Sequence, residues 1–144
     1  RVEKGEVVVR PAPDMGDFDT LLDECRRLGQ RLQVITTGGE ARPLSPAMSA
    51  AAFRILQESL TNARRHGGEG TTQVTLDWEA HQLTFEVRNP ATRPCEVGHG
   101  PGHGITGIVE RARAFGGRTQ VGLDGSAWVV RVQLPLPALA SEPA

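Results

Sequence analysis

Cysteine is scarce: Cys25 and Cys95 are the only two in 144 residues, and they lack CxxC spacing. That excludes a disulfide framework and points to a reduced, cytoplasmic compartment. No stretch approaches ~20 consecutive apolar residues, so nothing reads as a bilayer-spanning helix or as direct membrane contact. Neither sign of charge dominates. Sixteen Lys and Arg against 17 Asp and Glu leave a formal net charge of −1, which provides no electrostatic footprint for wrapping nucleic acid. There is no internal repeat and no signal-peptide pattern. The chain starts at Arg1 rather than Met, and a longer parent protein is expected.

What is present suits a soluble globular domain. Apolar residues make up 38% and charged residues 23%, a balance that disordered chains do not show. The length fits one domain, able to bury about two-thirds of its unfolded surface without cross-links.

Residues 1–13 combine a short apolar run, Val7 to Val9, with Pro11 and Pro13, and read as a linker. Phe18, Leu21, Leu22, Cys25 and Leu28 then recur at helical spacing, and Gly29 supplies a left-handed stop. Leu32, Val34 and Thr36 alternate with polar residues before Gly38 and Gly39, as in a strand and its turn. Ser45-Pro46 is the clearest helix start: serine caps free amides, and proline at the first helical position costs no hydrogen bond. That helix runs to Gly67 with Met48, Ala52, Ile55, Leu56, Leu60 and Ala63 on a buried stripe. Val74, Leu76 and Trp78, then Leu83, Phe85 and Val87, form two alternating strands whose short connection predicts an antiparallel hairpin.

Residues 89–104 break every pattern, with three prolines and four glycines, and predict a lid or binding loop. A third helix follows over 105–115, ending at Gly116-Gly117. A last hairpin, near 119–123 and 127–134, turns at Asp124-Gly125. The tail after residue 136 reads as frayed. This order predicts an α+β, two-layer sandwich: helices on one face of a mixed, mostly antiparallel sheet.

Three features carry chemistry. Glu58, Asn62 and His66 stand at i, i+4, i+8 on the long helix and so share a face. A carboxylate, an amide oxygen and an imidazole can hold a proton or a hard cation, and magnesium needs few protein oxygens when phosphates supply the rest. The plainer alternative is a solvated helix face. Second, glycines 98, 100, 102, 104 and 107 run into a helix start. Close backbone approach plus a helix N-terminus suits phosphate, whereas a flexible connector explains the glycines equally. Neither the P-loop nor the dinucleotide pattern is present. His99 and His103 are spaced HxxxH, but without a third ligand nearby they do not predict zinc. Third, Asn89 closes the second hairpin strand, where a turn former is the ordinary reading.

Taken together, QESLTNARRH (57–66), GHGITGIVERARAFGG (102–117) and the closing RVQLP (131–135) resemble the ATP-binding catalytic domain of two-component sensor histidine kinases. These belong to the GHKL superfamily, and the likeness is greatest to its nitrate-sensor and desaturase-thermosensor branch. It covers about residues 14–136 and implies a Bergerat-type fold that binds Mg-ATP. Residue by residue, the resemblance implies that Asn62 is the magnesium ligand and Glu58 the carboxylate that orients or activates the attacking group. It sets His66 near the phosphates. Gly102, Gly104 and Gly107 correspond to the second glycine box, with the backbone of His103, Ile105 and Thr106 beside it.

Two departures stand out. Where the family has DxGxG, whose carboxylate accepts from the adenine amino group, this chain has Asn89-Pro90-Ala91-Thr92-Arg93. Trp128 stands where a supporting Gly-Thr is usual. Asn89 keeps an acceptor oxygen, weaker than an ionised one, and Trp128 either packs near adenine or simply fills the core.

The resemblance implies an enzyme part that donates the γ-phosphoryl group to a histidine on an upstream dimerisation domain, for relay to a response regulator. The intact kinase is expected to be a homodimer and this segment alone a monomer. A non-catalytic pseudokinase module and an anti-sigma-factor serine kinase of the same superfamily are the alternatives.

Overall fold

The computed structural model describes residues 12–66, 69–91 and 103–137. The linker of 1–11, Cys95, His99, Gly102 and the tail of 138–144 lie outside the described residues. Within them the order is α1 (Phe18–Arg27), β1 (Arg31–Gly38), α2 (Pro46–His66), β2 (Thr71–Trp78), β3 (Gln82–Pro90), α3 (His103–Ala114), β4 (Arg118–Asp124) and β5 (Ala127–Pro135).

Local chemistry sets most of the boundaries. Asp14 accepts from the Gly16 amide and opens a single 3-10 turn that leads into α1. The chain leaves that helix through Gly29 at φ +91°, a backbone angle that favours glycine. Ser45 caps α2 as its sequence predicts: the Met48 amide donates to Ser45 Oγ at 3.2 Å. Leu28, expected on the buried stripe of α1, is 65% exposed instead. It sits past the last helical turn, where the chain is already veering toward β1.

The five strands lie in the order β1-β2-β3-β5-β4. β1 pairs parallel with β2, and every other neighbour is antiparallel. The parallel pair needs a crossover, and α2 is that crossover. Period-2 alternation directs Val74, Leu76, Trp78, Leu83, Phe85, Val87, Val130, Val132 and Leu134 to the helix-covered face. There they meet Leu21, Leu22, Ile55, Leu56, Leu60 and Ile108 in one core. The opposite face is polar: Arg131 donates to Glu86 at 2.7 Å and Arg88 to Asp124 at 2.7 Å. The architecture is therefore the α+β sandwich expected, with helices on one face of a mixed sheet. Among the described residues no helix is long and apolar enough to cross a membrane.

Candidate functional site

Two helices run over the sheet in opposite directions. α2 begins beside the end of β2, since Ser49, Leu76 and Trp78 line one shared groove. It finishes just before Gly70, which packs on Pro90 at the end of β3. α3 ends at the other side of the sheet, where Gly116 approaches Pro135 and Gly117 lies against the Gln133 carbonyl. The C-terminal turns of α2 and the first turn of α3 therefore share one end of the sheet.

The helices touch at Glu58. Arg111 of α3 donates to Glu58 Oε1 at 2.9 Å, and Arg54, one turn back on α2, lies 3.7 Å from the same oxygen. Gly107 lies beside this contact: a Cβ there would stand 3.0 Å from Glu58 Oε2 and 2.7 Å from the Arg111 guanidinium. Glu58 Oε2 is buried with no hydrogen-bond partner among the described residues.

Asn62 lies one turn further along α2, half-buried, with its Nδ2 unpartnered among the described residues. His66 is the last residue of α2, and His103 and Gly104 open α3. Ile105 packs against the core, while Thr106 is exposed. The antiparallel crossing thus brings the Asn62 end of α2 toward the His103 end of α3.

Asn89 lies at the end of the second hairpin strand, as one reading of the sequence has it, rather than in the loop. Residues 89 and 90 belong to β3, and residues 103 and 104 to α3, so the break in pattern is shorter at both ends than the sequence suggests. Pro90 is tolerated because β2 pairs with β3 only as far as Arg88, leaving no ladder donor to lose on that side. As the next inward residue after Val87, Asn89 faces the helices and is 2% exposed. Its Nδ2 donates to the Pro90 carbonyl at 3.3 Å, and Oδ1 is buried without a partner among the described residues. Trp128 stands directly opposite on β5, on the same face of the sheet.

The sequence missed two contributors. Arg111 sits in an ordinary-looking amphipathic helix, and nothing local tells that its partner is 53 residues away. Thr72, buried on β2 one residue before the Gln73–Arg88 pair, completes the row with Asn89 and Trp128. Among the described residues no three His, Cys, Asp or Glu side chains cluster as a metal cage.

No family model matches the chain. The sensor histidine kinase YxjM of Bacillus subtilis is 28% identical over 111 residues, which is 76% of this chain and 27% of that protein. The chain therefore spans about a quarter of the length of this curated relative. Among solved structures, the histidine kinase domain of a blue-light activated histidine kinase from Erythrobacter litoralis has a TM-score of 0.65 at 16% identity. The match covers 92% of this chain and 65% of that one. The catalytic domain of histidine kinase ThkA has a TM-score of 0.64 at 15% identity, covering 83% of this chain and 88% of that one. With three helices packed on a five-stranded mixed sheet, the chain has the fold of histidine kinase catalytic domains.

Proposed function

We propose that residues 14–136 form the ATP-binding catalytic domain of a sensor histidine kinase, joined through residues 1–13 to a dimerisation segment that carries the phosphoacceptor histidine. The observation that supports this most is the crossing of α2 and α3, with the Asn62 end of one helix beside the amino end of the other. Two details fit a nucleotide. Among the described residues the Asn62 amide nitrogen, a donor suited to a phosphate oxygen, and the Asn89 amide oxygen have no hydrogen-bond partner.

Asn62 would supply one oxygen to magnesium, with the phosphates supplying others, which suits a cation that needs no full protein cage. Magnesium, when bound, neutralises charge on the transferring phosphates. The backbone amides of 102–107 would meet the phosphates at a helix N-terminus, with His66 close by. Asn89 and Trp128 would face the base. Glu58, steadied by Arg111, would orient the attacking imidazole of the dimerisation segment. Such transfer depends on positioning and charge complementarity rather than on a covalent step by this domain. In the intact homodimer the phosphoryl group would then pass to a response regulator.

Calorimetric titration of the chain with ATP, with and without magnesium, tests the reading. Saturable, magnesium-strengthened binding is expected. No heat of binding at millimolar nucleotide would reject it in favour of a protein-contact module.

A further inference from the structure

Where β1 and β2 end, the helix-covered face of the sheet is left open. Thr36 stands on that face, in register with Leu76, and yet is exposed. Met15, Leu44, Leu76 and Trp78 wall a groove there of about 340 Å³. Two of its polar side chains are already engaged. Ser49 Oγ accepts from the Met15 amide at 3.0 Å, and the Arg42 guanidinium donates to the Glu79 and Ala80 carbonyls. A small molecule needs converging polar groups to orient it. A groove whose polar groups are spent on backbone suits an apolar stretch of chain instead.

The sequence supplies such a stretch close by. Residues 1–11 lie outside the described residues and include the run Val7-Val8-Val9. Met15, in the groove wall, follows Val9 by six positions, a tether that reaches about 20 Å at full extension. So short a tether holds its end at an effective concentration of about a millimolar, and weak contacts are then enough to fill the groove. Pro11 and Pro13 remove backbone freedom from the tether, which lowers the cost of ordering it. Valine also favours the extended chain that a groove accepts. Charge agrees: Arg42 donates only to carbonyls among the described residues, and Glu6 directly precedes the valines.

We propose that Val7–Val9 fill this groove, fastening the segment that precedes the domain to the start of α2. Where residues 1–13 are the linker proposed above, the domain is held at the end of α2 remote from Asn62, about 20 Å along the helix from Ser49. That consequence rests on the kinase reading; the docking itself does not.

Nuclear magnetic resonance of the 144-residue chain, without nucleotide, tests the docking. Nuclear Overhauser contacts from the Val7–Val9 methyl groups to Trp78 and Leu44 are expected. Amide exchange at the three valines should be about tenfold slower than in a free peptide. Val8→Asp should abolish those contacts and move the Trp78 indole signal while leaving that of Trp128 in place. Free-peptide exchange with no such contacts overturns the proposal, and so does a Val8→Asp chain that keeps them. Contacts from the valines to another surface also overturn it, as does a second copy seated in the groove, seen as contacts between differently labelled chains. The wild-type contacts decide by themselves, so a variant that fails to fold does not weaken the test. ATP binding by a chain whose valines touch nothing overturns the docking and leaves the nucleotide reading intact.

Discussion

Arg111 on α3 donates to Glu58 on α2 at 2.9 Å, tying together two helices that bound one end of the sheet. Both side chains are partly solvated, 32% and 21% exposed, which limits what the pair contributes to stability. Arg111→Ala should cost about 1 kcal/mol, read as a lower urea midpoint. Glu58→Gln keeps an acceptor for Arg111 and should cost less. In the full-length kinase proposed above, however, Glu58→Gln should reduce phosphoryl transfer far more than it reduces stability. Equal, small effects on both would take Glu58 out of the reaction.

Two glycines of the same helix region should respond differently to alanine. A Cβ at Gly107 would meet the Arg111 guanidinium and a Glu58 oxygen, the free ends of side chains that can swing. Alanine also favours a helix over glycine by up to about 1 kcal/mol. Gly107→Ala should therefore stay within about 1 kcal/mol of wild type. At Gly117 the Cβ would lie 2.5 Å from the Gln133 carbonyl oxygen and 2.9 Å from that of Ala112. Backbone there cannot move aside without disturbing β5, and Gly117→Ala should lose about 1–3 kcal/mol. Denaturant melts of the pair check the order, and a reversed order would contradict the packing described.

Much of this arrangement was legible because its causes are local. Ser45-Pro46, Gly29 and Gly125 punctuate the chain where they stand, and the alternation from Val74 to Val87 names the covered face outright. What escaped depends on elements that meet from far apart. Pro90 looks like a break when read alone; only the early end of β2 shows why β3 can continue through it. Leu28 keeps the helical spacing of α1 yet falls beyond its last turn. The Glu58–Arg111 bond follows from a helix crossing, which no periodicity encodes. Asn89 and Trp128 are singled out together only through the family resemblance, and strand register is what sets them opposite each other.

Cys25 offers a pH signature. Burial pushes its thiol above the ordinary value; Arg64 pulls the other way, Glu24 adds to the rise and Arg26 opposes it. The folded chain therefore holds this proton to higher pH than the unfolded chain does. The resulting stabilisation is whole below the unfolded thiol value of about 8.5 and is lost as pH rises from there through the folded value. Urea melts from about pH 7 to 10 should show an alkaline decline that is shallower in Cys25→Ala. Parallel declines would mean that other groups govern the alkaline limb.

Asn62 separates function from stability most sharply. Its Nδ2 is buried without a partner among the described residues, an arrangement that costs a folded protein free energy rather than supplying it. Asparagine also sits less well in a helix than alanine does, by about 0.5 kcal/mol. Asn62→Ala should consequently leave the urea midpoint unchanged or raise it. If the amide oxygen holds magnesium against the phosphates, the same variant should weaken magnesium-dependent ATP binding by about tenfold or more, with little effect on binding measured without the metal. A residue kept for packing would behave the other way round, losing stability while binding persisted. Melting and titration of one purified variant thus decide between a ligand and a filler at this turn of α2.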